Sequence, residues 1–108
     1  MSDRNYIVVA KTEALPAKSS LRVELKGHDI LLCHIEAGIF AVTNTCSHAE
    51  ALLHEGKLKG YKILCPLHGA AFDVRDGAAL TRPATKPLCS YPVKVVDGDI
   101  LIALPEAG

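Results

Sequence analysis

Short apolar runs and alternating apolar and polar residues mark β-strands over the first forty residues. Residues 21–25 (Leu-Arg-Val-Glu-Leu) alternate between apolar and charged side chains, as a half-buried strand does. Residues 6–10, 30–35 and 39–42 are apolar runs of strand length. A turn at residues 27–29 separates two of these strands. The pattern predicts a fold rich in β-structure from the start of the chain.

The far end of the chain predicts a β-hairpin. Residues 93–96 and 100–104 are apolar and flank Asp97-Gly98, a dipeptide typical of tight hairpin turns. The only helical signal is a weak turn at residues 12–15, which Pro16 would stop.

The middle of the chain lacks long apolar or alternating segments. Its strand fragments, such as residues 61–64 and 71–74, are short and interrupted by glycine and proline. We therefore predict an all-β fold, an antiparallel β-sandwich or partly open barrel with an inserted loop-rich subdomain. The 108 residues suffice for a single domain. Its basal sandwich would comprise about residues 1–43 and 89–108, and the subdomain about residues 44–88.

Charge and hydropathy exclude several classes of function. Twelve basic residues balance twelve acidic ones, so the basic excess of a nucleic-acid-binding protein is absent. The apolar runs are far shorter than the roughly 20 residues of a membrane span, and the polar start does not resemble an export signal. We therefore expect a cytoplasmic protein that binds neither nucleic acid nor membrane. In that compartment four cysteines indicate metal ligands or buried thiols.

Two short motifs carry the candidate chemistry. They are Cys46-Ser-His48 and Cys65-Pro-Leu-His68, and each supplies one sulfur and one imidazole from a single loop. Two thiolates and two imidazoles suit either a tetrahedral zinc ion or an iron–sulfur cluster. Common zinc motifs keep like ligands together, whereas each loop here is mixed. The mixed pairs favour a binuclear cluster in which one iron takes both cysteines and the other both histidines.

The two motifs resemble those of the Rieske proteins, Cys-x-His followed by Cys-x-x-His. The resemblance implies a [2Fe–2S] cluster, one per chain, with Cys46 and Cys65 on one iron and His48 and His68 on the other, at an exposed tip. Gly69 after the second histidine also matches, and residues 82–88 resemble the proline loop that covers the cluster. The match in fold extends over nearly the whole chain.

Four positions depart from the Rieske subunits of respiratory cytochrome bc complexes. Ala51 and Leu67 stand where that branch has the two cysteines of a bracing disulfide. Ala70 and Phe72 stand where it has hydroxyl groups that donate to sulfur. Because such donors stabilise the reduced cluster, their loss predicts a reduction potential at the low end of the Rieske range.

The remaining pattern is similar to the soluble Rieske ferredoxins of bacterial aromatic-ring-hydroxylating dioxygenases of the biphenyl, naphthalene and toluene type. The resemblance implies a one-electron carrier between an NADH-dependent flavin reductase and a terminal oxygenase. Such a carrier is not an enzyme on its own, and we expect a monomer. Two alternatives stay open: the small Rieske-type subunit of an NADH nitrite reductase, and a zinc-binding interaction module.

Other cysteines, histidines and lysines have plainer interpretations. Cys33 and Cys89 are predicted to be buried free thiols rather than a redox pair. His28 and His34 are predicted to be surface or strand residues. His54, which follows Glu50 by four residues, is predicted to lie in a solvated loop. The lysines at 57, 59 and 62 are predicted to form a solvated face, or else to lie beside a docking surface.

Overall fold

Ten short antiparallel strands and two 3₁₀ turns form the secondary structure of the computed structural model, which describes residues 5–46, 51–66, 69–81 and 86–104. The strands are β1 (Tyr6–Lys11), β2 (Ser20–Leu25), β3 (His28–Ile35), β4 (Gly38–Thr43), β5 (Lys57–Lys59), β6 (Lys62–Leu64), β7 (Ala71–Asp73), β8 (Ser90–Tyr91), β9 (Val93–Val96) and β10 (Asp99–Ala103). The 3₁₀ turns are Thr12–Ala14 and Leu53–Glu55. The described residues contain no α-helix, which agrees with the predicted all-β class.

The strands assemble into three sheets. The first has the order β1-β10-β9, the second β2-β3-β4-β8 and the third β5-β6-β7. The first sheet pairs the first strand with the last, since Tyr6 of β1 is opposite Ala103 of β10. The third sheet comes entirely from the segment between β4 and β8.

The central strands β3 and β4 of the second sheet are buried on both faces. On β3, Ile30 and Leu32 belong to an apolar cluster that also contains Ile100 and Ile102 of the first sheet. The alternate residues Leu31, Cys33 and Ile35 belong to a second cluster, shared with Ile63 and Phe72 of the third sheet and with both candidate cysteine ligands. A strand covered on two sides is apolar at successive positions, which explains the uninterrupted apolar run at residues 30–33.

Most predicted strands are present, with small shifts at their ends. The first hairpin turn lies one residue earlier than predicted, because Lys26 and Gly27 adopt positive φ angles of 52° and 84° and His28 is already in β3. The Asp97-Gly98 turn is confirmed, with φ angles of 50° and 82°. The weak helical signal corresponds to the 3₁₀ turn Thr12–Ala14. Strands β5 and β8 were not predicted, since three and two residues are too few for a periodic pattern.

We expect truncation of Ile102 to destabilise the fold strongly. This side chain is fully buried at the centre of the first sheet, where it pairs with Ile7 and Val93. Ile102→Ala should lower the free energy of unfolding by about 2–5 kcal/mol because it leaves a cavity. The half-exposed Val95 of β9 is the matched control, and Val95→Ala should change it by less than about 0.5 kcal/mol. Urea denaturation followed by circular dichroism measures both, and equal losses would contradict the assigned core.

Candidate metal centre

The first candidate ligand, Cys46, begins a short loop after β4. The two arms of this loop are joined by an antiparallel bridge between Thr45 and Leu52. The Cys46 N–H donates to the Ala51 carbonyl at 2.9 Å, which closes the loop over residues 46–51. Residues 47–50, including His48, lie outside the described residues.

The second candidate ligand, Cys65, begins a loop between β6 and β7. Its N–H donates to the Ala70 carbonyl at 2.7 Å, and its carbonyl accepts from the Gly69 N–H at 3.1 Å. Residues 67 and 68, including His68, lie outside the described residues. In both loops a cysteine N–H thus bonds to the carbonyl five positions later, so the two cysteines stand at equivalent points of two similarly closed loops.

Both cysteines are almost completely shielded from water. Cys46 and Cys65 are each 3% exposed and belong to the same apolar cluster, which also contains Phe72 and Val74. Burying a thiolate in such surroundings is costly unless a cation compensates its charge. Two buried sulfurs on matching loops therefore fit the cysteine half of a Rieske-type [2Fe–2S] site.

The histidine half of the predicted site falls on residues that the structure does not describe. Across residues 5–46, 51–66, 69–81 and 86–104, no group of three or more His, Cys, Asp or Glu side chains is placed to hold a metal ion. The assignment of His48 and His68 as ligands therefore remains a prediction. Of the four predicted ligands, the structure describes Cys46 and Cys65, and it places both in one apolar cluster.

A buried asparagine at the root of the first loop was not predicted. Asn44 is fully buried, and its carbonyl accepts from the Leu53 N–H at 2.6 Å across the two arms. Its side chain contacts His54 and Asp29. The interpretation of His54 as a solvated loop residue was wrong, because this side chain is half-buried and hydrogen-bonded. The sequence does contain a signal for Asn44, because this polar residue directly follows an apolar strand and is two positions before a candidate ligand.

Close backbone approaches hold the segments around both loops together. A Cβ atom at Gly56 would clash with the backbone carbonyl of Leu64, the residue just before Cys65. A Cβ atom at Gly77 would clash with the carbonyl of Leu88, whose N–H donates to the Gly77 carbonyl at 2.7 Å. Leu88 ends the segment predicted as the proline loop, and residues 82–85 of that segment lie outside the described residues.

An ion pair stabilises the turn that leads from β7 to Gly77. The Arg75 guanidinium donates to both carboxylate oxygens of Asp73, at 2.9 and 2.7 Å, and the Arg75 backbone N–H donates to Oδ1 at 2.9 Å. These hydrogen bonds lower the pKa of the buried Asp73 carboxyl, so it stays ionised at neutral pH. The guanidinium also lies over the Tyr61 ring, 4.2 Å from its centroid.

The remaining histidines and cysteines lie outside the two ligand loops, although Cys33 shares the apolar cluster of Cys46 and Cys65. His28 and His34 are on β3, as predicted, where their Nδ1 atoms contact the Tyr91 hydroxyl at 3.3 Å and the Leu15 carbonyl at 2.9 Å. Cys33 is a buried free thiol, but the prediction for Cys89 was wrong, since it is exposed. The lysines at 57, 59 and 62 are all exposed on the β5–β6 pair, which agrees with a solvated face.

Residues 5–92 match the model of the Rieske [2Fe–2S] domain family. This match covers most of the chain, and the chain belongs to that family. The family's cofactor is the Rieske-type [2Fe–2S] cluster, which agrees with the paired, buried cysteines.

Individual relatives narrow the class to ferredoxins of dioxygenase systems. The chain is 44% identical over 103 residues to the 3-phenylpropionate/cinnamic acid dioxygenase ferredoxin subunit of Photorhabdus laumondii, covering 94% of this chain and 97% of that protein. It is 33% identical to the ferredoxin of carbazole 1,9a-dioxygenase from Nocardioides aromaticivorans, with a TM-score of 0.87 over 91% of this chain and 96% of that one. A complex of reduced oxygenase and oxidised ferredoxin of carbazole 1,9a-dioxygenase contains a similar chain, 30% identical, with a TM-score of 0.86 and 94% of each chain covered.

The similarity to small subunits of nitrite reductases shows a common fold and nothing more. A structure described as the small subunit of an NADH-dependent nitrite reductase from Mycobacterium tuberculosis has a TM-score of 0.85, with 98% of this chain and all of that one covered, but is only 21% identical. Among the described residues, no helix has the length and hydropathy needed to cross a membrane.

We expect Cys89 and Cys33 to differ sharply in reactivity towards a thiol reagent. Burial raises the pKa of the Cys33 thiol to about 12, so this thiol stays protonated at pH 8. Its side chain is also shielded from the reagent, whereas that of Cys89 is exposed. The native cluster-loaded protein should take up one equivalent of iodoacetamide, on Cys89. The control is the Cys89→Ser variant, which should take up none until it is unfolded. Rapid labelling of Cys33, located by peptide mass spectrometry, would contradict its assigned burial.

Proposed function

We propose that this chain is a one-electron carrier that serves the terminal oxygenase of an aromatic-ring dioxygenase system. The observation that carries this proposal is the pair of buried cysteines, Cys46 and Cys65, on two equivalently closed loops. In our assignment they hold one iron of a single [2Fe–2S] cluster per chain, and His48 and His68 hold the other. When bound, the cluster supplies a centre that takes up one electron and gives it back.

Mixed ligation makes electron uptake easier than it would be at a site with four thiolates. Two ferric irons, two sulfides, two thiolates and two neutral imidazoles sum to zero charge, whereas four thiolates would leave the oxidised cluster doubly negative. Rieske centres accordingly lie at roughly −150 to +300 mV, against about −400 mV for plant-type ferredoxins. The histidines are thus proposed to set the range in which this carrier works.

The apolar cluster around the cysteines supports a potential at the low end of that range. Ala70 and Phe72 are both fully buried beside Cys65, and neither side chain offers a hydroxyl donor to sulfur. Since an added negative charge is poorly stabilised in apolar surroundings, these side chains disfavour the reduced state. The carrier is therefore proposed to accept electrons from a strong reductant of the NADH–flavin type.

The partners of this chain are proposed to be a flavin-dependent reductase and a terminal oxygenase. A carrier that alternates between two partners needs a small, short-lived interface. We propose that it docks through the cluster tip, that it is monomeric and cytoplasmic, and that substrate chemistry takes place on the oxygenase. The division into a basal sandwich and a cluster-binding subdomain of about residues 44–88 is part of the proposal. It is supported by the origin of the third sheet in that segment.

The metal content of the purified protein tests the proposed cofactor. We expect about two irons and two acid-labile sulfides per chain with negligible zinc, and a red-brown colour. Cys46→Ser and Cys65→Ser should lose both iron and sulfide, whereas the control Cys33→Ser should keep them. One zinc per chain without sulfide would make the protein a zinc-binding interaction module and overturn the proposal.

Electron transfer to a charged variant tests docking at the tip. Leu67 lies between the two ligands of the second motif, so Leu67→Asp should leave the visible spectrum intact and slow reduction by the partner reductase at least several-fold. The matched control is Val95→Asp, which places the same charge on an exposed position of the first sheet and should reduce at the wild-type rate. Stopped-flow absorbance measures both rates.

Two results of that experiment would count against the proposal. Equal reduction rates for the two variants would contradict docking at the tip. Failure of the reduced wild-type protein to pass electrons to any aromatic-ring oxygenase, together with transfer to a nitrite reductase large subunit, would establish the alternative function.

A further inference from the structure

Both polar atoms of the Asn44 side chain are hydrogen-bonded inside the protein. Its Oδ1 accepts from the backbone N–H of His54 at 2.8 Å. Its Nδ2 donates to Asp29 Oδ1 at 3.2 Å and lies 2.9 Å from His54 Nδ1. A fully buried amide with such partners is a rigid connection, since losing one of them would leave a polar group unsatisfied.

These partners allow only one orientation of the amide. The Asp29 carboxylate can only accept, and the His54 backbone N–H can only donate. Rotating the amide by 180° would place Oδ1 against the carboxylate and Nδ2 against the N–H, so both contacts would become repulsive. The Asn44 nitrogen therefore faces both Asp29 and the His54 ring.

The orientation of Asn44 in turn defines the state of the His54 ring. Because Nδ2 is a donor, His54 Nδ1 has to accept, and the ring proton of the neutral imidazole has to be on Nε2. A doubly protonated ring would present an N–H to the amide N–H and break the contact. The network is complete only while His54 is neutral.

The network is anchored in the second sheet. Arg22 of β2 donates through Nε and Nη2 to the two carboxylate oxygens of Asp29, at 2.8 and 3.0 Å. The Asn44 backbone N–H donates to the Asp29 carbonyl at 2.9 Å. These bonds connect the rigid β2–β3 hairpin to Asn44, and through Asn44 to the 3₁₀ turn that carries His54.

The connection spans the root of the first ligand loop. Asn44 is two residues before Cys46 on one arm, and the Leu53–Glu55 turn follows the other arm. The Asn44 carbonyl and amide oxygen bind the N–H groups of Leu53 and His54, so they set the separation of the two arms. A change in that separation would move Cys46 relative to Cys65.

We infer that Asn44 and neutral His54 are positioning residues that hold the first ligand loop in its metal-binding shape. This inference rests on the proposed function, because it concerns the geometry of the proposed cluster ligands. It gives His54 a role other than metal ligation. It also makes retention of the metal sensitive to protonation of a side chain outside the ligand set.

Charged groups surround His54 on each packed element. Glu55 is its neighbour in the 3₁₀ turn, which packs against β2 with Arg22 and Glu24. On β3, Asp29 lies behind Asn44 and is already paired with Arg22. The charge of the Asp29 carboxylate, which is bonded to the Asn44 amide, is therefore compensated by Arg22. Protonation of His54 acts through its Nδ1 atom, which has to accept a hydrogen bond from Asn44.

Three variants of the cluster-loaded protein test the inference. His54→Leu removes the acceptor. His54→Asn places an oxygen at the position of Nδ1 and cannot be protonated. His34→Leu is the matched control, since His34 is another half-buried histidine with one Nδ1 hydrogen bond, to the Leu15 carbonyl. The measurement is the rate of iron release to an excess of chelator from oxidised protein, at pH 7 and pH 5, followed by loss of visible absorbance.

At pH 7 we expect His54→Leu to release iron about 10-fold faster than wild type or more, as is typical when a group supporting a ligand is lost. His54→Asn and His34→Leu should stay close to wild type. At pH 5 wild type should release iron faster than His54→Asn, because a proton on Nδ1 of His54 breaks its contact with Asn44, whereas the substituted asparagine takes up no proton. Both proteins retain His48 and His68, so the predicted ligand set is the same in the comparison.

Two results would overturn the inference. Equal acceleration in His54→Leu and His34→Leu would show a general loss of stability instead of positioning of the loop. An identical pH response in wild type and His54→Asn would show that the charge of His54 does not matter. If the purified protein instead contains zinc, the proposed function fails, and the same variants then test the positioning role through zinc release to a chromogenic chelator.

Discussion

Burial of strands β3 and β4 on both faces is the constraint on which the rest of the structure depends. One face packs on the sheet formed by β1, β10 and β9, and the other packs on the short third sheet and the roots of the ligand loops. The same strand, β3, therefore contributes alternate side chains to the basal core and to the shell of the candidate metal centre. Because the two cores share a backbone, displacement of β3 would disturb both.

The two ligand loops are held by backbone hydrogen bonds and by close packing. The N–H groups of Cys46 and Cys65 close their loops in the same way, and Gly56 lets the exit of the first loop lie directly against the strand entering the second. Ala51 and Leu67 stand where respiratory Rieske proteins carry a bracing disulfide. In this chain the buried Asn44 hydrogen-bonds across the two arms of the first loop, and an apolar cluster encloses both cysteines.

The fold class, and the presence of one cysteine in each of two tight loops, could be predicted from the sequence because both follow local rules. Period-two alternation and the Asp97-Gly98 turn act over a few residues, and the spacing within each Cys/His motif is local as well. Strands β5 and β8 could not be predicted, because three and two residues are too few to show a periodic pattern, and β8 also pairs with the distant strand β4. The burial of Asn44 and the hydrogen bonds of its side chain escaped prediction because they depend on tertiary packing; its partner Asp29, for example, is 15 residues earlier. Cys89 is exposed while its neighbour Leu88 is buried, and no periodic pattern around them in the sequence indicated this difference.

The antiparallel pairing of β1 with β10 gives the molecule a defined mechanical polarity. Tyr6 is opposite Ala103, so the start of β1 and the end of β10 lie side by side at one end of the first sheet. A force that pulls these ends apart would load the hydrogen bonds of this pair one after another, as in opening a zipper, and not all at once in shear. Tension would therefore be released by peeling β1 from β10, while the sheet that carries the second ligand loop stayed intact. A force applied through these two strands would therefore act on the first sheet before it reached the loops of Cys46 and Cys65.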